Sequence, residues 1–111
     1  MAATPPSKEA TMIRHIVLFH VHEGTTRARI QDAVDRLEAL VGVIPGLISL
    51  EAGIDIGDGG STANADFGLI AELEDRAALE TFSNDGRHME VAMDILTFRD
   101  QGDIVILDFE H

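Results

Sequence analysis

The stretch Ile13-Arg14-His15-Ile16-Val17-Leu18-Phe19-His20-Val21 decides how the rest of the chain is read. It is short, β-branched and aromatic. A period of two sets Ile13, His15, Val17, Phe19 and Val21 on one side and Arg14, Ile16, Leu18 and His20 on the other. Both sides are apolar in the middle, the pattern of a strand covered on both faces.

Downstream, His22-Glu23-Gly24-Thr25-Thr26 supplies a turn and a threonine helix cap. Ile30, Val34, Leu37 and Val41 then recur at helical spacing with Ala33 and Leu40 beside them, and read as ordinary core. Gly42 stops that helix and Pro45-Gly46 cannot continue it. Leu47 to Ile56 reads as a second strand, Asp58 to Asn64 as a polar loop, and Asp66 to Leu73 as a third strand. A helical segment from Glu74 carries Ala78, Leu79 and Phe82 on its apolar side until Asn84-Asp85-Gly86 breaks it. Arg87 to Phe98 is helical again, with Val91, Ala92, Ile95 and Leu96 in register, and Asp103 to Phe109 alternates as a last strand. The order is βαββαβ, an α+β domain of ferredoxin-like layout with helices on one face of a four-stranded antiparallel sheet. One domain spans residues 12–111. Residues 1–11, with Pro5-Pro6 and no apolar periodicity, read as a disordered leader, and Met12 offers an alternative start.

Such a layout leaves one sheet face open. Ile16, Leu18, Ile48, Leu50, Ile70, Ile104 and Ile106 are all apolar, and strand parity points several of them at that face. An exposed patch of this kind marks an interface, so a homodimer joined through the open sheet face is expected. If parity slips in one strand, some of the seven belong to the helix-side core instead.

Composition narrows the function. The 111 residues carry 8 Lys+Arg against 20 Asp+Glu, a formal charge of −12. That balance opposes binding to nucleic acid, whose phosphates require cations, and to anionic membrane surfaces. No apolar run approaches the ~20 residues of a membrane span, and a cytoplasmic location is expected. Cysteine, tyrosine and tryptophan are absent, which removes thiolate, disulfide and phenol chemistry. Polar chemistry falls to His, carboxylates, Ser/Thr, Arg and backbone.

Several stretches form a recognisable set in one order: Ile13 to Phe19, Ile44-Pro45-Gly46, Asn64-Ala65-Asp66-Phe67, Phe82 followed six residues later by His88, and Asp108-Phe109. Together they resemble the stress-responsive A/B barrel (Dabb) family over residues 12–111. The resemblance implies a dimeric α+β barrel in which two sheets pack face to face. It also implies polyketide-cyclase-like chemistry in part, since the family's cofactor-free cyclase uses histidines matching His15 and His88. Phe67 stands where that cyclase has another His and Phe82 where it has a Tyr, and its His-Pro-x-His segment reads Asp85-Gly86-Arg87-His88. A drier pocket with fewer hydrogen-bond donors follows.

The expectation is therefore a cofactor-independent acid/base enzyme acting on a small, mostly apolar carbonyl compound by aldol cyclisation or isomerisation. His15 and His88 are the candidate catalytic pair, and Phe19, Phe67 and Phe82 the candidate ligand-binding wall. An imidazole titrates near ~6.5, within reach of neutral pH, and the N-terminal field of a helix keeps His88 neutral. The same residues also fit a non-catalytic small-ligand-binding or stress-responsive dimeric barrel, in which His15 is a satisfied core histidine. His20 and His22 share a strand face but have no third ligand, so no metal is expected. Gly57-Asp58-Gly59-Gly60 lies between strands with no following helix or Lys and is no phosphate cradle.

Overall fold

The computed structural model describes residues 11–57 and 64–111, and among these the side chains of all but 101–103. Residues 1–10 of the expected leader and 58–63 of the polar loop lie outside the described residues. The elements run β1 (Ile13–Val21), α1 (Arg27–Glu38), β2 (Leu47–Ile54), β3 (Phe67–Leu73), α2 (Arg76–Asn84), α3 (Gly86–Leu96) and β4 (Arg99–Glu110). The strands form one antiparallel sheet in the order β2-β3-β1-β4.

Each helix begins at a side-chain cap. Thr26 accepts from the Arg29 N–H, Asp75 from Ala78, and Asp85 from Arg87. The helices bury Ile30, Val34, Leu37, Phe82, Val91 and Ile95 against Val17, Phe19, Leu69, Ala71 and Leu73 of the sheet. Outside the sheet contact, Asp94 of α3 accepts two hydrogen bonds from Arg29, at 2.9 and 2.8 Å, and one from Arg36 at 3.0 Å, fastening α3 to α1. No helix among the described residues is long and apolar enough to cross a membrane.

Three expectations need correction. Val41 is not core: α1 ends at Glu38, and the tight turns that follow swing Leu40 and Ile44 inward and leave Val41 38% exposed. Leu50 leaves the open face because the β2–β3 register shifts between Leu47 and Ser49, so that Leu50 pairs with Ala71 and is buried. Ile104 and Ile106 pair with Phe19 and Val17 and therefore share the helix side, while the alternate residues Val105 and Leu107 pair with Leu18 and Ile16 on the open side. The open face so defined carries Leu18, Ile48, Ile70, Val105, Leu107 and Phe109, all exposed in the single chain.

Pro45-Gly46 ends the α1–β2 connection at a fixed geometry. Gly46 has φ +83°, and a Cβ there would meet the Ala78 Cβ at 2.7 Å. Gly46→Ala should therefore cost about 2–4 kcal/mol, from a strained left-handed backbone and an overpacked contact with α2. A change in the urea midpoint worth less than about 1 kcal/mol would refute this.

Candidate active site

One apolar cavity of about 350 Å³ opens between α3, the helix side of β1 and β4. His15, Phe19, His88, Ile95, Arg99 and Ile104 are on its wall. Strand parity and helix packing bring the two histidines here from opposite directions. His15 projects with Val17 and Phe19 towards the helices, and His88 stands in the first turn of α3, three residues after the Asp85 cap. Both pack against Phe82, fully buried, whose ring centroid is 5.9 Å from His15 and 4.3 Å from His88.

His15 has a partner that sequence reasoning did not assign. Its Nδ1 hydrogen-bonds Oδ1 of Asp108, which sits directly opposite it in the β1–β4 ladder. An ionised carboxylate only accepts, so Nδ1 carries the proton and Nε2 is left as the basic nitrogen. The signal for Asp108 was present in the chain: it shares the strand face of Ile104 and Ile106, an acid on an apolar run.

His88 is held differently. Burial pushes its imidazole below the ordinary 6.5, the nearby His15 ring adds a smaller push in the same direction, and the Ser83 backbone and Asp85 act against them. Burial is thus the largest influence favouring the neutral form of His88. Its Nδ1 is buried and has no hydrogen-bond partner among the described residues. Asp85 is held at about 2 by Arg87, which donates to it from both side chain and backbone.

The depressed His88 has a consequence for stability. Below about 6.5 the unfolded chain protonates this residue while the folded chain does not, so stability falls as pH drops through that window towards the folded-state value. Urea midpoints of the native chain should decline on acidification below pH ~6.5 more steeply than those of His88→Gln; parallel curves would refute it.

Of the expected aromatic wall, only Phe19 lines the cavity. Phe67 does not: it stacks behind Phe19 with centroids 4.5 Å apart and is buried in the core. Phe82 does not line it either, since α2 turns that ring into the core, where it packs against both imidazoles. His20 and His22 do not share a strand face, as β1 ends at Val21, and the His20 ring meets the Asn64 carbonyl at 2.8 Å. No group of three potential metal ligands occurs among the described residues.

The model of the stress responsive A/B barrel domain matches residues 13–111, nearly the whole chain. The chain belongs to the Dabb family. Among curated proteins, none matches this Dabb chain in sequence. Solved structures similar to it include a dimeric ferredoxin-like protein of unknown function from Thermobifida fusca, 24% identical over 93% of each chain with a TM-score of 0.79. A Dabb family protein from Mesorhizobium loti is 19% identical with a TM-score of 0.70, covering 89% of this chain and 95% of its own. A hydroxynitrile lyase from Passiflora edulis is 17% identical with a TM-score of 0.77, covering 92% and 94%. At these identities the likeness is one of fold.

Proposed function

We propose that this Dabb protein is a cofactor-independent acid/base enzyme acting on a small, mostly apolar carbonyl compound, and that it works as a homodimer. One observation carries the reading: two imidazoles with different electrostatic settings face one apolar cavity, one braced by a carboxylate and the other kept neutral by burial. That is how a site divides base and donor roles between like groups.

In this reading Nε2 of His15 takes a proton from the carbon next to the substrate carbonyl. Asp108 holds the ring in the required tautomer and stabilises the imidazolium that results, as in other carboxylate–histidine pairs. The electron pair of the broken C–H bond moves into an enolate. His88, being neutral, donates a hydrogen bond to the enolate oxygen without first losing a proton to water. The enolate then attacks a second carbonyl, in aldol cyclisation, or is reprotonated elsewhere, in isomerisation. That a hydroxynitrile lyase is built on this fold supports an enzymatic reading, and fold alone does not choose the reaction.

Homodimerisation is supported by the six-residue apolar open face and by the dimeric state of the Thermobifida fusca protein. The test of catalysis is exchange in D2O of the protons α to the carbonyls of heptane-2,6-dione, followed by NMR. Exchange faster than that given by an equal concentration of free imidazole supports the enzyme. No acceleration, with the dione bound, would leave a binding protein.

A further inference from the structure

We infer that Arg99 forms an anion subsite in the His15/His88 cavity, and that the ligand is a small oxo acid whose carboxylate Arg99 binds. Two buried side-chain nitrogens without hydrogen-bond partners occur among the described residues, Nδ1 of His88 and Nη1 of Arg99, and both residues line the same cavity. A buried donor left unpaired is costly and rare. With the proton on Nδ1, His88 donates as Arg99 does, and an oxygen-rich ligand between the two satisfies both.

The setting of Arg99 is unlike that of the other arginines. Arg14, Arg29, Arg36, Arg76 and Arg87 each lie against a carboxylate, and Arg27 is exposed to solvent. In a chain with 20 acidic side chains, a half-buried arginine with an unpaired nitrogen stands out. Backbone geometry places it there. Arg99 pairs with Val21 and Ile104 with Phe19, so residues 100–103 of β4 face a single residue of β1. An irregularity of this kind re-aims side chains at the rim of a sheet, and Arg99 joins the cavity wall on the far side of it. Asp108 is not on that wall, and its carboxylate is turned to His15. An incoming anion therefore meets a cation with no acid among the described lining residues.

The size of the cavity, about 350 Å³, limits the ligand. At roughly 30 Å³ of liquid volume per water it holds on the order of ten non-hydrogen atoms. A guanidinium binds a carboxylate in a planar fork, and the mostly apolar wall covers the remainder. The ligand's carbonyl is assigned to the histidines and its carboxylate to Arg99. The assignment of the carbonyl rests on the proposed acid/base function; that of the carboxylate rests on Arg99 alone.

The probes are 5-oxohexanoate and heptane-2,6-dione, which differ only in exchanging a carboxylate oxygen for a methyl group. Binding is read from NMR shifts of the His15 and His88 ring protons. The oxo acid should bind about 10- to 100-fold more tightly than the dione. Arg99→Gln should bring that ratio close to one, and Arg99→Lys should keep part of it. Equal affinity of the two probes for the native chain would overturn the subsite, as would a preference that survives Arg99→Gln. Accelerated α-proton exchange alongside equal affinities would leave the acid/base reading standing. A preference that depends on Arg99, with no exchange of either probe, would leave the subsite standing and remove the catalysis.

Discussion

His15→Ala and His88→Ala should each slow α-proton exchange by about 10²–10⁴-fold, the range expected for loss of a positioned acid or base. The effects should not add. Proton removal at carbon and stabilisation of the oxygen belong to one transition state, so the double variant should be little slower than the worse single one. Asp108→Asn should lower the rate as well, and its signature should differ. Asparagine can present its amide to Nδ1 and favour the wrong tautomer, so the loss falls on the proton-transfer step and leaves affinity for the dione largely intact. Asp108 is a positioning residue in this scheme, and a fall in kcat at constant KM separates it from a residue that only holds the fold.

Folding should survive these changes. Asp108 is 39% exposed, so water can replace the lost imidazole and the penalty is about 1 kcal/mol. His15 also packs edge-on against Phe82, which adds a small packing loss. A structural role would give the opposite pattern: marked destabilisation of His15→Ala with exchange unchanged. Denaturation midpoints and exchange rates measured on the same preparations decide between the two, and a folded His15→Ala that exchanges at the native rate would end the catalytic assignment.

How much of this could be read from the chain depended on where the backbone keeps a regular period. The alternation of Ile13 to Val21 is unbroken through Phe19, so the helix-side placement of His15 and the open-side placement of Leu18 were legible. Asn84-Asp85-Gly86 likewise marked the break before α3 and hence the place of His88 in its first turn. Part of what failed did so at irregularities. One shift between Leu47 and Ser49 turned Leu50 inward, and another opposite Phe19–Val21 separates Arg99 from Ile104. Composition does not mark such shifts, and each reverses the face of everything beyond it. Arg99 read as the residue after a helix, whereas it opens β4. The His15–Asp108 pair spans 93 residues, and only the ladder register reveals it. Phe82 was recognised as part of the site, but the side of α2 on which the cavity lies is a matter of packing. It packs against both imidazoles from within the core.

Leu18→Glu should convert a homodimer into monomers at micromolar concentration. Leu18 is 41% exposed in the single chain, central in the sheet, and surrounded by Ile16, Ile70, Val105 and Leu107. No helix covers this face, and its contiguous apolar side chains form the kind of patch that marks an interaction surface. Packing two such faces together buries the patch on both copies. Under two-fold symmetry a glutamate at position 18 appears twice in the interface. Each must either stay charged in an apolar setting or bind a proton, at a cost of several kcal/mol with no cation within the patch. Arg14 is the nearest cationic neighbour along β1, and it is engaged by Glu72 at 3.8 Å at one end of the sheet. Even ~4 kcal/mol in total weakens association about 10³-fold, enough to leave a dimer of nanomolar affinity about half dissociated at micromolar chain concentration, and a larger cost separates it fully. Val43→Glu, on the exposed α1–β2 connection, introduces the same charge away from the open face and should leave the dimer intact. Sedimentation of the three proteins reads the outcome directly, with far-UV circular dichroism showing that the sheet and helices persist. A native chain that sediments as a monomer, or a folded Leu18→Glu that remains dimeric, would show that this face is not what joins two copies.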